Sequence, residues 1–271
     1  MPGAQYTNPI GINDLGLVVG YYNVSATAYD QGFIEQGGRF TTFEDPAEVY
    51  GTSVTFDNDL GVIGGFYYDV NGIMQGFTDI HGRFATISDP NAGTTPDAGQ
   101  GTVPEVENLQ GAIAGTYYDN NGVEHGFIDQ NGHFVTIDAP LAGTGAGQGT
   151  YIGYVDDLGE LTGISTESDG SSYSFVDNHG HFTTIFDPAG VTGGTFIGSV
   201  NDFGLIAGCY LDSSNIWHAF VDQSSTFATL DDPAAEGLGT YAQSSNNLGG
   251  LVGSYFASNG DTDGFVAIPS R

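Results

Sequence analysis

The chain has 271 residues, of which 33 are Asp or Glu and three are Arg, with no Lys, so its formal net charge at pH 7 is −30. This charge repels phosphate backbones and anionic lipids, which argues against nucleic-acid binding and against attachment to acidic membranes. No apolar stretch approaches the ~18 residues that a bilayer-spanning helix needs, so membrane insertion is not expected.

Cysteine usage and the start of the chain say little about the compartment. Cys209 is the only cysteine, so no disulfide framework exists within the chain. It lies in the apolar run 205-LIAGCYL-211, which favours a small buried side chain over a reactive thiol. The start, MPGAQYTNP, lacks the regions of a signal peptide, so a secreted protein would have lost its leader before this sequence begins.

One motif, Asn-Asp-x-Gly followed by an apolar run, recurs along the whole chain. Its copies are 13-NDLGLVVGYY-22, 58-NDLGVIGGFY-67, 108-NLQGAIAGTY-117, 156-DDLGELTGIS-165, 201-NDFGLIAGCY-210 and 246-NNLGGLVGSY-255. Two further residues, called the Thr and Phe landmarks below, recur with the same period. They are a Thr at 7, 52, 102, 150, 195 and 240, and a Phe at 33, 77, 127, 175, 220 and 265. The motif glycines are spaced by 45, 50, 48, 45 and 45 residues, which indicates six repeats.

Each copy predicts four short strands, A to D, in chain order. Strand A runs from the Thr to the Asn-Asp-x-Gly turn, strand B is the apolar run, strand C begins at the Gly-Phe landmark, and a tight turn leads to strand D. A proline then ends the copy, because proline cannot continue a ladder. The repeats are approximately 1–46, 47–90, 91–140, 141–188, 189–233 and 234–271.

This pattern predicts an all-β protein, a single six-bladed β-propeller domain with four-stranded blades of about 45 residues. No segment has a 3.6-residue apolar period that would indicate helices. The sixth copy stops at 264-GFVAIPSR-271 without a strand D, so the last blade is expected to be incomplete. A monomer is plausible, but nothing in the sequence fixes the oligomeric state.

The blocks HGF at His125 and HAF at His218, within the frame YYDxNGxxHGFxxxxGxFxTIDxP, resemble the bacterial HAF-type extracellular repeat. The resemblance covers essentially the whole chain. Copies one and two have Gln31 and Gln75 in place of the histidine. The resemblance implies a propeller that is secreted or exposed at the bacterial surface, and it implies no particular activity.

Propeller topology places the A–B and C–D turns on one face and the B–C and D–A connections on the other. On the first face, Asn13, Asp14, Asp59, Asp157 and Asp202 are interpreted as turn-forming residues. The second face carries two expanded connections, 91-NAGTTPDAGQG-101 and 141-LAGTGAGQG-149, and insertions of this kind are common at binding sites.

The candidate ligand-binding residues lie on that second face. They are Asp69, Asp119, His125, Asp212, Trp217 and His218. Trp217 is expected in an exposed hairpin, where an indole could stack on a sugar ring. The two histidines occupy equivalent repeat positions, so a repeated structural hydrogen bond explains them equally well. The segments D-V-N-G and D-N-N-G resemble the start of a Ca²⁺ loop but are also good hairpin turns, so Ca²⁺ is the only cofactor considered.

Three carboxylates on the predicted A strands form a second candidate site, because this strand lines the central channel of a propeller. Glu105 and Glu107 are two residues apart and are expected to face the same side, and Asp57 has the repeat position of Glu107. They could bind a cation (Glu105 and Glu107), act as a catalytic acid and base, or bind channel water.

Two functional hypotheses from different classes follow, and the sequence does not decide whether the protein is an enzyme. The leading one is a secreted or surface-exposed, non-catalytic binding or scaffold propeller whose partner is a glycan or another extracellular molecule such as a protein. The alternative is a carbohydrate- or lactone-active hydrolase or lyase that uses Asp57, Glu105 and Glu107, with or without a divalent metal. A purely structural surface protein is the third possibility.

Overall fold

A computed structural model describes residues 3–25, 29–186, 188–191, 194–224 and 226–268. In these ranges the chain forms six antiparallel blades around a central channel, as the repeats predict. The first strand of each blade is strand A of its repeat, and the blades follow one another in chain order. No helix in the described residues is long and apolar enough to cross a membrane.

Blades 1 to 3 each have four strands. The strands are β1 (Tyr6–Ile12), β2 (Val18–Asn23), β3 (Gln31–Gln36) and β4 (Arg39–Phe43) in blade 1, β5 (Thr52–Asp57), β6 (Val62–Tyr68), β7 (Met74–Ile80) and β8 (Phe84–Ile87) in blade 2, and β9 (Gly101–Glu107), β10 (Ala112–Tyr118), β11 (Glu124–Gln130) and β12 (His133–Ile137) in blade 3.

Blades 4 and 5 repeat this plan, and blade 6 has three described strands. The strands are β13 (Gly149–Val155), β14 (Glu160–Thr166), β15 (Ser172–Asn178) and β16 (His181–Ile185) in blade 4, β17 (Thr195–Val200), β18 (Leu205–Leu211), β19 (Trp217–Gln223) and β20 (Thr226–Thr229) in blade 5, and β21 (Thr240–Ser245), β22 (Leu251–Phe256) and β23 (Thr262–Ala267) in blade 6. A short 3-10 helix, Pro233–Ala235, precedes blade 6.

The Phe landmark forms the core between the blades. In the five complete blades it is almost fully buried and packs on a Phe of strand D, with ring centroids 5.1–5.7 Å apart. In blade 6 the equivalent Phe265 is only partly buried, since no described strand D covers it. The apolar landmark therefore marks where each blade closes against its neighbours.

The Thr landmark fixes the passage from one blade to the next. The hydroxyl of Thr102 accepts a hydrogen bond from the backbone N–H of Asp89 at 2.9 Å, just before Pro90. Thr52 and Thr150 make the same contact at 3.0 and 2.9 Å. A buried hydroxyl thus satisfies the last N–H before the chain exits at proline.

Every A strand contains a β-bulge at the same repeat position. In β9 the pairing with β10 skips Glu105, and the skipped residue in the other blades is Ile10, Thr55, Gly153, Gly198 or Gln243. The glycine of strand B lies directly against this bulge: a Cβ on Gly115 would collide with the carbonyl of Val103. The glycine in each LVVGYY-like run is therefore required by the bulge.

The ring closes between blade 6 and blade 1 with the contact used at other interfaces. Thr262 at the start of β23 forms a parallel bridge to Tyr6 of β1, just as Glu124 of blade 3 bridges Gly149 of blade 4. As expected, the described part of blade 6 has three strands. The ring closes through this bridge, without a blade built from strands of both ends of the chain.

Candidate functional site

The six A strands surround one cavity of about 770 Å³. Its lower end is formed by the Asn-Asp-x-Gly turns, and its upper end by the starts of the A strands, on the face that carries the B–C hairpins. All six bulge residues line it. Four of them carry a side chain, Ile10, Thr55, Glu105 and Gln243, whereas Gly153 and Gly198 have none.

The lower rim shows what the turn motif does. The side chain of Asn13 accepts hydrogen bonds from the N–H groups of Leu15 (3.0 Å) and Leu17 (2.9 Å), so the interpretation of this Asn as a turn-forming residue is confirmed. The next residue has another role, because Asp59 accepts a hydrogen bond from the N–H of Asp14 in the previous blade at 2.7 Å. The Asp of the motif is thus an inter-blade latch, which sequence reasoning missed.

The latch recurs around the ring. Its other members are Leu109 N–H to Asp157 at 2.8 Å, Asp157 N–H to Asp202 at 3.4 Å, Asp202 N–H to Asn247 at 3.0 Å and Asn247 N–H to Asp14 at 2.9 Å. The interface between blades 2 and 3 is different, because Leu109 replaces the accepting residue. At the same interface the buried amide nitrogen of Asn58 has no hydrogen-bond partner.

The three predicted channel carboxylates all line the cavity but have different surroundings. Both carboxyl oxygens of Asp57 are buried without a hydrogen-bond partner, and burial, reinforced by the charge of Asp59, raises its pKa well above the usual range. Burial raises the pKa of Glu105 to about 8, opposed by a hydrogen bond from the Tyr151 hydroxyl. Burial also raises the pKa of Glu107.

The three carboxylates have separate electrostatic neighbours. The charge that most affects Asp57 is Asp59, the charge that affects Glu105 is Glu124, and no second charge contributes to the shift of Glu107. The described part of the chain contains no group of three or more His, Cys, Asp or Glu side chains that could hold a metal ion. Glu105 and Glu107 both face the cavity, as expected, and Glu105 is the bulge residue of its strand.

The upper end of the cavity is aromatic in blades 4 to 6. The residue after the Thr landmark is Tyr151, Phe196 or Tyr241 in these blades, and all three line the cavity. Blades 1 to 3 have Asn8, Ser53 and Val103 there. At this repeat position one half of the ring is therefore aromatic and the other half small or polar, while Tyr6 at the start of β1 adds one aromatic ring on the side of blade 1.

Trp217 joins this aromatic surface. Its ring centroid lies 5.4 Å from that of Phe196 and 5.7 Å from that of Tyr241, and Tyr241 in turn makes an edge contact with Phe256 at 5.7 Å. Trp217 begins strand β19 and is partly buried, so its expected place in an exposed hairpin was wrong. These four residues are called the aromatic cluster below.

Polar groups lie beside the aromatic cluster. The amide of Gln243 donates to Asn8 at 2.9 Å, and the buried carbonyl oxygen of Gln243 has no hydrogen-bond partner. Burial raises the pKa of Tyr241 to about 12 and that of the neighbouring Cys209 thiol to about 12. Cys209 is therefore protonated and unreactive at neutral pH, as its apolar surroundings predict.

The two predicted histidines repeat one structural contact. His125 Nδ1 lies 3.0 Å from Asp138 on the strand-D side, and the ring stacks on Tyr117 with centroids 4.9 Å apart. In blade 5, His218 Nδ1 lies 2.8 Å from Asp231 and its ring stacks on Tyr210. Each histidine also faces the hairpin carboxylate, Asp119 or Asp212.

The hairpin carboxylates are themselves engaged. Asp119 accepts from the N–H groups of Asn121 (2.8 Å) and Val123 (2.9 Å), and Asp69 and Asp212 close their hairpins in the same way. Backbone hydrogen bonds lower the pKa of Asp212, the one from Ile216 most strongly. The structure thus distributes the predicted binding residues Asp69, Asp119, His125, Asp212 and His218 over three blades and does not gather them in one site.

The expanded loops pack onto these hairpins. Asp97 N–H donates to the carbonyl of Asn71 at 3.0 Å, and Gly147 N–H donates to that of Gly122 at 2.9 Å. Each loop therefore ties the start of one blade to the B–C hairpin of the blade before it.

No protein-family model matches the chain, and no curated protein matches it. Among solved structures, AofleA from Arthrobotrys oligospora aligns over 98% of this chain and 84% of its own, with 13% identity and a TM-score of 0.60. The fungal lectin from Aleuria aurantia, described as a six-bladed β-propeller with a novel fucose recognition mode, aligns over 98% and 94% with 12% identity and a TM-score of 0.56. The fold is a six-bladed β-propeller.

A third similar structure is the β-propeller domain of the trilobed protease from Pyrococcus furiosus, described as having an open velcro topology. It aligns over 96% of this chain and 94% of its own, with 7% identity and a TM-score of 0.52. Likeness at these identities concerns the fold alone.

Proposed function

We propose that this protein is a non-catalytic, glycan-binding propeller that takes a neutral oligosaccharide at the aromatic end of its channel. The observation that carries the proposal is the aromatic cluster: Phe196, Tyr241 and Phe256 line the 770 Å³ cavity, and Trp217 packs against the rings of Phe196 and Tyr241. A concave site with aromatic walls and a few convergent polar groups is typical of small-ligand binding. Aromatic rings offer apolar faces to the C–H surfaces of a sugar.

Hydrogen-bonding groups suited to sugar hydroxyls lie in the same cavity. The unpartnered carbonyl oxygen of Gln243 can accept a hydrogen bond from a hydroxyl group, and satisfying it would remove the cost of a buried unpaired acceptor. Glu105 and Tyr151 lie across the channel. A ligand that contacts both halves would use stacking on one side and hydrogen bonds on the other.

Charge favours neutral sugars over acidic ones. The chain carries a net charge of −30, and four carboxylates, Asp14, Asp59, Asp157 and Asp202, form part of the lower cavity lining. Sialylated and uronic-acid-containing glycans would be repelled. The fungal lectins of similar fold, one of them bound to Fucα1-6GlcNAc, make fucosylated glycans a sensible first probe.

The hydrolase or lyase alternative lacks comparable support, because Asp57, Glu105 and Glu107 have separate electrostatic neighbours. The resemblance to HAF-type repeats supports a location outside the cell, and that location remains a prediction. A role for Ca²⁺ is also a prediction, and so is an extracellular protein partner.

The test is isothermal titration of neutral fucosylated, galactosylated and glucosylated oligosaccharides, with sialylated and uronic-acid counterparts. We expect binding of at least one neutral glycan and none of its acidic counterpart. Tyr241→Ala should weaken that binding about tenfold or more, since it removes a stacking surface. Trp217→Ala should also weaken it, because it removes the ring that packs against Phe196 and Tyr241.

Tyr29→Ala is the matched control, because Tyr29 is an aromatic residue with 60% exposure outside the cavity. Its affinity should equal that of the unmodified protein. Thermal unfolding of each variant separates a lost site from a lost fold. Equal affinity in Tyr241→Ala and Tyr29→Ala would contradict the proposed site. If none of the neutral oligosaccharides binds, the proposal of glycan binding is wrong.

A further inference from the structure

The face that carries the Asn-Asp-x-Gly turns has an exposed apolar rim. In five of the six blades the residue x of the motif is a large apolar residue, and each is 60–79% exposed. These residues, called the apolar collar below, are Leu15, Leu60, Leu158, Phe203 and Leu248. Single exposed apolar residues are ordinary on a protein surface, whereas a group of them on one face indicates a docking surface.

The collar follows the channel rim without a break from blade 4 through blades 5, 6 and 1 to blade 2. The residue before each collar residue belongs to the inter-blade latch, and four successive latch bonds join the five turns. These bonds hold neighbouring turns against one another around the lower end of the channel. The gap in the collar is at blade 3, where the motif has Gln110.

The turn itself does not require an apolar side chain at this position. The backbone N–H of each collar residue donates to the side chain of the first motif residue at 2.9–3.1 Å. Gln110 makes the same bond to Asn108 at 3.1 Å, so a polar residue closes the turn equally well. A partner that covers the collar would explain why five copies have Leu or Phe there.

Negative charge lies inside the collar. Burial raises the pKa of Asp14, and the charge of Asp59 raises it further. The two described arginines, Arg39 and Arg83, lie at C–D turns on the outer edge of blades 1 and 2. None of the described residues that line the cavity is basic, and four carboxylates of the motif line its lower end: Asp14, Asp59, Asp157 and Asp202.

These carboxylates are arranged to bind an ammonium group in preference to a guanidinium group. Each of the four already accepts a backbone N–H through the latch. None of them therefore offers two free oxygens to the planar fork of an arginine side chain. An ammonium group is a compact point charge, so it can bind single oxygens of several carboxylates at once.

Charge disfavours two other occupants of this face. A second copy of the chain would bring two acidic centres together, and like charges across an interface oppose association. A neutral bilayer would cover the carboxylates without a counter-charge, and an anionic bilayer would be repelled by the net charge of −30. A segment with one cationic and several apolar side chains complements both the centre and the collar.

We propose that this face docks a segment of a partner polypeptide in which one lysine is flanked by large apolar residues. The lysine ammonium binds among the four carboxylates, and the flanking side chains pack on the collar. The site lies at the opposite end of the channel from the aromatic cluster, so it does not depend on glycan binding.

The probe is the peptide acetyl-Gly-Leu-Phe-Lys-Phe-Leu-Gly-amide with an uncharged fluorophore, and the readout is fluorescence anisotropy at low salt. Two matched peptides have norleucine or arginine in place of the lysine. We expect saturable binding of the lysine peptide and at least about tenfold weaker binding of the norleucine peptide, which lacks the charge. The arginine peptide should bind about threefold more weakly than the lysine peptide.

Leu248→Ser and Leu141→Ser are a matched pair of variants for the collar. Both leucines are 70% exposed, but Leu141 begins the expanded connection on the opposite face. Leu248→Ser should weaken binding of the lysine peptide about fivefold, because it removes apolar contact area, and Leu141→Ser should leave it unchanged. Thermal unfolding of both variants checks that the fold is intact.

Asp59→Asn and Asp97→Asn are the matched pair for the carboxylates. The side chain of Asn247 already serves as a latch acceptor, so Asp59→Asn removes a charge and keeps the bond. It should weaken the lysine peptide about threefold and leave the norleucine peptide unchanged. Asp97→Asn makes the same charge change in an exposed loop of the opposite face and should affect neither peptide.

Several results would overturn the proposal. It is wrong if the lysine peptide does not bind, if the norleucine peptide binds equally well, or if Leu248→Ser and Leu141→Ser have the same affinity. A dimer in light scattering that Leu248→Ser dissociates would assign the collar to a second copy. Binding to phosphatidylcholine vesicles that only Leu248→Ser abolishes would assign it to a lipid surface.

Discussion

The two halves of the channel are built from the same repeat positions but differ in chemistry. Blades 2 and 3 supply Asp57, Glu105 and Glu107. Blades 4 to 6 supply Tyr151, Phe196 and Tyr241 where blades 1 to 3 have Asn8, Ser53 and Val103. The backbone, the bulge and the turn are common to both halves. In this propeller the departures of individual copies from the repeat therefore carry the functional information, and the shared residues carry the fold.

The largest expected effect comes from exchanging bulge residues between the halves. The pKa of Glu105 is about 8 in the fold against 4.5 for an ordinary Glu, so the folded state holds the proton more tightly and stability falls as pH rises from about 4.5 to about 8. Glu105→Gln should therefore raise the free energy of unfolding by about 4 kcal/mol at pH 8 and change it little at pH 4.

The reciprocal change, Gln243→Glu, should destabilise the fold at pH 8, because it places the same carboxyl at the equivalent site of blade 6. Urea unfolding at both pH values checks the pair. An equal effect of Glu105→Gln at pH 4 and pH 8 would show that titration of this carboxyl is not the cause.

A smaller effect should follow from removing the hydroxyl that joins the two halves. The hydrogen bond from Tyr151 partly opposes the rise in the pKa of Glu105, so Tyr151→Phe should move the pH dependence of stability to higher pH. The cost at pH 8 should be about 1 kcal/mol. Thermal unfolding from pH 4 to 9 measures it. Phe196→Leu, which removes no hydroxyl, should not move the midpoint.

The missing latch offers a stabilising change. Leu109 has the repeat position of Asn247, whose side chain accepts the N–H of Asp202 from the previous blade. In Leu109→Asn the new side chain should accept the N–H of Asp59 in the same way. We expect this hydrogen bond to add about 1 kcal/mol to the free energy of unfolding. Leu158→Asn is the control, since Leu158 is a 79% exposed turn residue of blade 4 outside the latch position. If both variants gain equally, surface polarity and not the latch is responsible.

The smallest expected effect concerns a histidine of one half and its counterpart in the other. Burial opposes protonation of His218, but hydrogen bonding and charge from Asp231, and then from Asp212, raise its pKa above 6.5. Its stabilising contribution is complete below about pH 6.5 and is lost as pH rises through the folded-state pKa.

His218→Gln copies Gln75 of blade 2, whose amide bonds Asp69 at 3.3 Å. It should therefore abolish this pH dependence at a cost of only a few tenths of a kcal/mol, because the Gln amide can keep the contact with Asp212 and the imidazole is partly exposed to screening solvent. Unfolding at pH 5.5 and pH 8 is the measurement. An unchanged difference between the two pH values would rule out His218 as its source.

The fold could be predicted from sequence because its determinants are local and repeated. The Thr, the turn motif and the Phe recur in phase, and each has a contact within its own blade or at the exit from it. The three strands described for the last copy also follow its pattern. One short apolar run could be a strand or part of a helix, but six copies in the same register make the assignment as a strand secure.

The site could be predicted only in part because it depends on contacts between blades. Trp217 meets Tyr241 of the next blade, and the role of Asp59 depends on the N–H of Asp14 in the previous one. The repeat period of the sequence does not show which side chains of neighbouring blades contact each other. The bulge at Glu105 also breaks the two-residue alternation on which strand reasoning rests.

The latch between blades 6 and 1 also bears on how the ring folds. Asn247 and Asp14 are 233 residues apart, so this contact forms only after nearly the whole chain has been synthesised. Because this contact joins residues so far apart in sequence, we expect ring closure to be a late step of folding. We also expect chains that have not closed the ring to be more prone to aggregation, since they would expose the apolar faces of their end blades. Folding speed in this protein should therefore depend more on the two end blades than on any interface between them.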